Sequence, residues 1–112
     1  MSFLFGPKVE EADVKQVVDA LPEDGAVLVD VREPHEWRAG HAPQARHIPL
    51  QQLPMHLDTL PRNAPVYLIC RSGNRSHHAA AFLQRNGFER PVNVRGGMIA
   101  WERAGLPVER KG

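Results

Sequence analysis

The segment PVYLICRSGNRSHHAAAFLQRNG, residues 65–87, contains the combination that decides the fold. PVYLIC (65–70) is a short apolar run of the kind that forms a buried strand in a parallel sheet. The polar loop CRSGNRS (70–76) follows it, and SHHAAAFLQRNG (76–87) has the apolar spacing of a helix that ends before Gly87. A strand, a loop and a helix in this order form the basic unit of α/β proteins.

Strand and helix signals continue to alternate on both sides of this unit. A helical face of leucines spans 50–60, and Pro54 fits there only if it lies in the first turn of that helix. The alternation predicts an α/β fold with a mainly parallel sheet, in which sites form outside the carboxyl ends of the strands. The other predicted elements are a helix at 14–21, a strand at 26–31, a helix at 33–40, an extended piece at 45–50, a strand at 91–94 and a helix at 96–105.

Length and charge are those of an ordinary globular domain. The 112 residues suit one domain spanning 1–112, with a candidate loose N-terminal segment at 1–8. Lys plus Arg number 14 and Asp plus Glu number 13, which leaves a formal net charge of +1. This balance gives no bulk attraction to nucleic acid or to an anionic membrane, so we expect neither as a partner.

The compartment is predicted from cysteine usage and from the N-terminal sequence. The single cysteine, Cys70, excludes an internal disulfide and favours a reducing, cytoplasmic location. MSFLFGPKVEEADVK (1–15) has no basic run followed by a long apolar stretch, so we expect no secretory signal. No window of the sequence approaches the length of a membrane span.

The loop that begins at Cys70 has the composition of an anion cradle around a nucleophile. Backbone N–H groups in a loop that leads from a strand into a helix point toward a common centre. Gly73 permits a tight turn because it tolerates positive φ and has no Cβ. Short polar side chains donate hydrogen bonds or cap the helix, and arginines bind oxyanions. The candidate binding residues are Arg71, Ser72, Gly73, Asn74, Arg75 and Ser76.

This environment predicts a reactive thiol at Cys70. A helix N-terminus and two nearby guanidinium groups favour the thiolate, which is the nucleophilic form of cysteine. A lone cysteine is more often an inert, buried side chain, but here an apolar strand, a glycine-containing polar loop, two arginines and a helix start coincide. Cys70 is therefore the candidate catalytic residue. We expect Arg71 to contact an anionic donor and Arg75 to brace the loop.

Four motifs follow one another along the chain: LVDVREPHEW (28–37), GHAPQARHIPL (40–50), CRSGNRS (70–76) and GGMIAWERAGLPV (96–108). In this order they resemble the single-domain form of the rhodanese family of sulfurtransferases, and the match covers nearly the whole chain. The resemblance implies the rhodanese fold, which is a central, mainly parallel sheet of about five strands with helices on both faces.

The same resemblance implies a thiosulfate sulfurtransferase reaction with a covalent intermediate. A sulfane-sulfur donor such as thiosulfate would give its outer sulfur to Cys70 and form a persulfide, and cyanide or a thiol would then accept the sulfur. The expected partners are a small-molecule donor and acceptor, including a protein or low-molecular-weight thiol. The reaction needs no organic cofactor and no metal.

Other side chains receive weaker assignments. Asp30 and Arg32 follow the strand at 26–31, and the resemblance implies that this pair lies near the loop. We expect a supporting role for both, against the alternative of a purely structural ion pair. The histidine spacing is unlike that of a zinc site, so no metal is expected. Trp37 and Trp101 are expected to anchor the core.

Three alternatives to an enzyme that transfers sulfur remain: a different enzyme, a relay module and an inactive domain. Phosphatases and arsenate reductases of the same fold have a Cys-x5-Arg pattern, whereas the spacing from Cys70 to Arg75 is one residue shorter. The domain would also suit a persulfide relay between partner proteins, with thiosulfate only a surrogate donor. An inactive domain used for protein contacts is disfavoured because Cys70 is present.

Overall fold

A five-stranded parallel sheet forms the centre of the protein in the computed structural model, which describes residues 8–23 and 25–110. The strands are β1 (Glu10–Ala12), β2 (Val27–Asp30), β3 (Ala45–His47), β4 (Val66–Ile69) and β5 (Pro91–Val94). Their order across the sheet is β1-β5-β4-β2-β3, and each neighbouring pair runs parallel. β4 is therefore the central strand. Residues 1–7 of the predicted loose segment lie outside the described residues.

Helices cover both faces of the sheet. They are α1 (Val14–Ala20), α2 (Pro34–Ala39), a 3₁₀ helix (Leu50–Thr59), α3 (Asn74–Arg85) and α4 (Gly97–Arg103). α3 and the 3₁₀ helix pack on one face, and α1 and α4 pack on the other. The predicted α/β architecture with helices on both faces is confirmed. In the part of the chain that the structure describes, no helix is long and apolar enough to cross a membrane.

The alternation of side chains along β4 decides where the cysteine lies. Val66 and Leu68 belong to the core beneath α3, whereas Tyr67 and Ile69 belong to the core beneath α1 and α4. Successive strand residues point to opposite faces, and Cys70 continues the first set. The thiol therefore lies on the α3 side of the sheet, at the carboxyl end of its central strand.

Three elements differ from the sequence prediction. β1 was not predicted because it is a short, exposed edge strand with two glutamates in three positions. The segment 50–60 forms a 3₁₀ helix with Pro54 in its interior, not in the first turn. An α-helix there would set the proline ring against the carbonyl four residues earlier. α3 begins at Asn74 rather than at residue 76, because Gly73 takes the left-handed conformation just before it.

Candidate active site

Cys70 occupies the centre of a small ring of hydrogen-bond donors. Its side chain is only 1% exposed. The Gly73 N–H donates to Sγ at 3.1 Å, and the Ser76 Oγ lies 3.2 Å from the same sulfur. Gly73 has φ of 109°, a conformation that L side chains rarely adopt, so glycine is required to aim this N–H at the sulfur. The loop thus concentrates donors on one buried sulfur atom.

Two opposing effects set the acidity of this thiol. Burial raises the pKa of Cys70, but hydrogen bonds outweigh it, and the pKa is lowered from the ordinary value for cysteine. The donors responsible are the Ser76 hydroxyl and the backbone N–H groups of Ser76, Gly73 and Ser72. The direction agrees with the sequence prediction. The lowering of the Cys70 pKa comes mainly from neutral hydrogen-bond donors rather than from the two arginines.

Arg75 is held in an ion pair with Glu36, a residue the sequence analysis did not single out. The Nη1–Oε1 and Nη2–Oε2 distances are 2.7 and 2.9 Å, a bidentate geometry that links α3 to α2. The hydrogen bonds from Arg75 are the main reason that the pKa of Glu36 falls from 4.5 to about 2. The Glu36 carboxylate largely balances the Arg75 charge, and the ion pair places Arg75 where it can brace the loop against α2.

Arg71 has an exposed side chain beside a groove of about 380 Å³. Met98 and Ile99 are the apolar residues of that groove. The charged side chains that line it with Arg71 are Arg32, Glu102 and Arg103. Ser72 and Asn74 are also exposed, and the contribution of Ser72 to the thiol comes from its backbone N–H. The predicted binding residues therefore fall into two groups: those whose N–H or hydroxyl groups donate to the Cys70 sulfur, and those whose side chains are exposed to solvent.

The first residues of α4 pack directly on the backbone of the loop. The N–H groups of Met98 and Ile99 donate to the carbonyls of Cys70 and Arg71 at 2.8 and 3.1 Å. A Cβ at Gly97 would lie 2.5 Å from both of those carbonyl oxygens. The start of α4 thus makes a close backbone contact that holds the nucleophile loop in place.

Asp30 and Arg32 form a buried unit at the end of β2, next to the end of β4. Arg32 donates through Nε and Nη2 to the Asp30 carboxylate at 2.8–3.0 Å, and Nη2 also donates to the Gly40 carbonyl at 2.7 Å. Asp30 is in register with Ile69, the residue before Cys70. The unit shapes the carboxyl edge of the sheet, and Arg32 reaches the groove beside Arg71.

Trp37 lies outside both core clusters, so its prediction as a core anchor is wrong, whereas Trp101 is fully buried as expected. The Trp37 ring is instead stacked with His41 and His47, at centroid distances of 3.5 and 4.7 Å. Each imidazole donates to a backbone carbonyl. Within residues 8–23 and 25–110, no three His, Cys, Asp or Glu side chains converge as a metal site.

Asn93 of β5 is the functional candidate that sequence reasoning missed. It is 2% exposed, and its Oδ1 lies 2.6 Å from the Ser76 Oγ. Its Nδ2 donates to the Gly73 carbonyl and to Glu11 Oε2, both at 3.1 Å. The available signal was one polar residue in the otherwise apolar strand PVNV (91–94). A buried amide in such a strand requires partners, and here they are the cysteine loop and β1.

Comparison with known families assigns most of this chain to one domain family. The family model described as Rhodanese-like domain matches residues 13–104. The chain belongs to the rhodanese-like domain family. The matched range includes the segment from Cys70 to Ser76 that surrounds the sulfur.

Two relatives of this rhodanese-like domain are named for sulfur transfer. A protein from Allochromatium vinosum named sulfurtransferase is 39% identical over 101 residues, which are 89% of this chain and 94% of the relative. Thiosulfate sulfurtransferase GlpE from Actinobacillus pleuropneumoniae serotype 7 is 34% identical over 88% of this chain and 92% of its own length. These relatives support sulfurtransferase activity at the level of the family.

Solved structures show the same rhodanese architecture. A rhodanese-like domain protein from Staphylococcus aureus superposes with a TM-score of 0.81 at 32% identity, covering 93% of this chain and all of the other. A rhodanese-related protein from Thermoplasma volcanium also gives 0.81, at 29% identity, over 91% of this chain and 99% of the other. The rhodanese fold predicted from the four motifs is confirmed.

Proposed function

We propose that this domain is a thiosulfate sulfurtransferase that carries sulfur as a persulfide on Cys70. The observation that carries the proposal is the ring of donors around a buried sulfur whose pKa is lowered. Such a ring stabilises a thiolate, and its backbone N–H groups also suit the anionic sulfur of a persulfide. The names of the curated relatives support the same reaction class.

The chemistry has two halves and needs no redox partner. The Cys70 thiolate attacks the outer sulfur of thiosulfate, the sulfur–sulfur bond of thiosulfate breaks, and sulfite leaves with the electron pair. The persulfide that forms carries its negative charge on the outer sulfur. Cyanide or a thiolate then attacks that sulfur, and Cys70 leaves as the thiolate that began the cycle.

The loop residues divide this work between them. The N–H groups of Ser72 and Gly73 and the Ser76 hydroxyl stabilise negative charge on sulfur. Arg71 lies beside the open groove, so its guanidinium binds the sulfonate oxygens of the donor. Asn74 is exposed at the first turn of α3, and from there its side chain contacts the sulfur donor or the sulfur acceptor.

Three further residues hold this machinery in place. Arg75 braces the loop through Glu36 of α2. Asp30 and Arg32 support the site by fixing the end of β2 and one side of the groove.

Intact-mass spectrometry tests the proposal directly. Wild-type protein treated with thiosulfate should gain the mass of one sulfur atom and lose it again on addition of cyanide. Cys70→Ser, with an oxygen in place of the sulfur, should gain nothing while unfolding at a similar temperature. Aryl phosphates serve as the competing substrate class. A wild-type protein that gains no sulfur from thiosulfate, or that turns over aryl phosphates efficiently, contradicts the proposal.

A further inference from the structure

The Ser76 hydroxyl stands between two acceptors but has only one hydrogen to donate. Its Oγ is 3.2 Å from Cys70 Sγ and 2.6 Å from Asn93 Oδ1. All three side chains are at most 2% exposed, so water does not readily replace either partner. At any moment the hydroxyl donates to the sulfur or to the amide oxygen.

The orientation of the Asn93 amide is determined by its other contacts. The Gly73 carbonyl and the Glu11 carboxylate, each 3.1 Å from Nδ2, are both acceptors and face only an N–H group favourably. Oδ1 must therefore be the atom that faces Ser76. An oxygen–oxygen separation of 2.6 Å needs a hydrogen between the two atoms, and only the serine hydroxyl supplies one.

We propose that Asn93 is a positioning residue that competes with Cys70 for the Ser76 hydroxyl hydrogen and so sets how readily the thiol ionises. With a protonated thiol, the hydroxyl donates to Asn93, and the S–H group donates to Oγ. With a thiolate, the hydroxyl turns to Sγ, and Asn93 Oδ1 loses its donor. Asn93 therefore opposes ionisation, although it also holds Gly73 in place.

The same competition has a meaning for the sulfur-transfer cycle, and this part rests on the proposed function. In the persulfide, the charge has moved to the outer sulfur, and the inner Sγ is a weak acceptor. The hydroxyl then returns to Asn93 Oδ1 instead of remaining without a strong acceptor in the core. Asn93 thus offsets part of the loss of the hydroxyl–thiolate bond when sulfur is taken up.

The test is designed so that the charges around the loop stay constant. The variants exchange one neutral side chain for another and leave every charged or titratable group around the loop in place. These groups are the pairs Asp30–Arg32 and Arg75–Glu36, Arg71 of the loop, Glu11 of β1, His77 of α3, and Glu102 and Arg103 of α4. Changes in the pH dependence of Cys70 between variants then report the hydrogen bonds.

The measurement is the pH midpoint of Cys70 alkylation by iodoacetamide, which is unambiguous because the chain has one cysteine. Ser76→Ala removes the donor and should raise the midpoint by about 1 pH unit, or tenfold in thiolate fraction. Asn93→Leu fills the space without an acceptor and should lower the midpoint by about 0.5 unit, roughly threefold. The double variant should match Ser76→Ala alone, because Asn93 acts through Ser76.

A purely structural role for Asn93 predicts the opposite sign. Loss of its bond to Gly73 would loosen the ring and raise the midpoint, with or without Ser76. A raised or unchanged midpoint in Asn93→Leu, or an equal shift in the Ser76→Ala background, overturns the proposal. Asn93→Ala repeats the test if the leucine variant does not fold.

One further comparison separates this proposal from the proposed function. Alkylation does not require sulfur transfer. A protein that shows these shifts but takes no sulfur from thiosulfate contradicts only the proposed function.

Discussion

At the scale of single residues, Cys70 shows how a cysteine is both buried and poised to react. Burial in apolar surroundings raises a thiol pKa and normally makes the side chain inert. Here short neutral donors reach the sulfur from its own loop and from the first turn of α3. Because these donors are already fixed around the sulfur, they need little rearrangement when negative charge forms on it. Solvent molecules would have to reorient.

The two arginines of the loop should respond differently to removal. Arg71→Ala should raise KM for thiosulfate roughly tenfold with a smaller change in kcat, because an exposed guanidinium contributes mainly to binding the anion. Arg75→Ala should lower kcat and destabilise the fold by about 1–2 kcal/mol, because it releases Glu36 and the loop. Steady-state kinetics and thermal unfolding of both variants separate these outcomes.

A donor without charge provides the control for this pair. The effect of Arg71→Ala on KM should shrink with that donor and also with added salt, which screens exposed charges. If Arg71→Ala leaves the KM for thiosulfate unchanged, or if the two variants behave alike, the assignment of roles is wrong.

Gly97 should tolerate no side chain. Gly97→Ala would place a Cβ 2.5 Å from two carbonyl oxygens at a φ of 55°, and we expect it to destabilise the fold by about 3 kcal/mol. Gly105→Ala is the matched control, since Gly105 has a φ of 72° and, among the described residues other than its chain neighbours, no atom lies within 4 Å of the added Cβ. It should lose only about 1 kcal/mol. Equal losses in denaturant unfolding would show that backbone strain alone matters.

Sequence reasoning reached the residues of the loop but not the partners that hold them. Cys70 and its loop were recognisable because they are contiguous and have a distinctive composition. Ser76 and Asn93 are 17 residues apart, and Arg75 and Glu36 are 39 residues apart. Such pairs depend on how strands and helices are placed in space, which local spacing does not determine.

At the scale of elements, the first turn of α3 connects the chemistry to the packing. Asn74, Arg75 and Ser76 belong to this turn. Because side chains of adjacent helix residues point in different directions, Ser76 faces the sulfur while Arg75 reaches α2. A rotation of this one turn would change both contacts together.

The Arg75–Glu36 link should make part of the stability depend on pH. The pKa of Glu36 is lowered from 4.5 to about 2 in the fold, so its contribution is complete above 4.5 and is lost as the pH falls toward 2. Glu36→Gln should therefore be less stable than wild type by about 1 kcal/mol at neutral pH, with the difference disappearing near pH 2. Urea unfolding of both proteins across this range measures it.

A second ion pair serves as the comparison for Glu36. Glu10 and Arg90 also form a bidentate pair, but both side chains are nearly half exposed. Glu10→Gln should change stability less than Glu36→Gln at neutral pH, because solvent screens an exposed pair. An equal or larger loss in Glu10→Gln would argue against the bracing role.

Prediction of the elements succeeded where burial imposed a pattern. The buried strands β2, β4 and β5 are apolar runs, and α1, α3 and α4 have apolar faces, so each was predicted close to its observed bounds. β1 has no such pattern because its glutamates face solvent at the sheet edge. The 3₁₀ helix shows the leucine face that was expected, but Pro54 imposes a geometry that spacing alone does not reveal.

At the scale of the whole molecule, the sheet order surrounds the nucleophile strand with two strands on each side. β4 pairs with β2 and β5, and both of its faces are covered by core residues. In hydrogen–deuterium exchange we expect the amides of β4 to be the slowest and those of the edge strand β1 to be much faster. Exchange in β4 as fast as in β1 would show that the site opens without global unfolding.

The pairing of the first strand with the last has a consequence for the order of events during synthesis. β1 leaves the ribosome before the other four strands of this sheet, but its partner β5 is made some 80 positions later, as the register Glu10 with Val92 shows. Cys70 therefore emerges before Asn93 and Gly97, which complete its surroundings. While the chain is still growing, the thiol has neither its loop support nor its neighbour in β5, and its reactivity is that of any cysteine in an unfolded peptide. Activation of the sulfur site is thus delayed until β5 and the start of α4 have been synthesised and have packed against the loop.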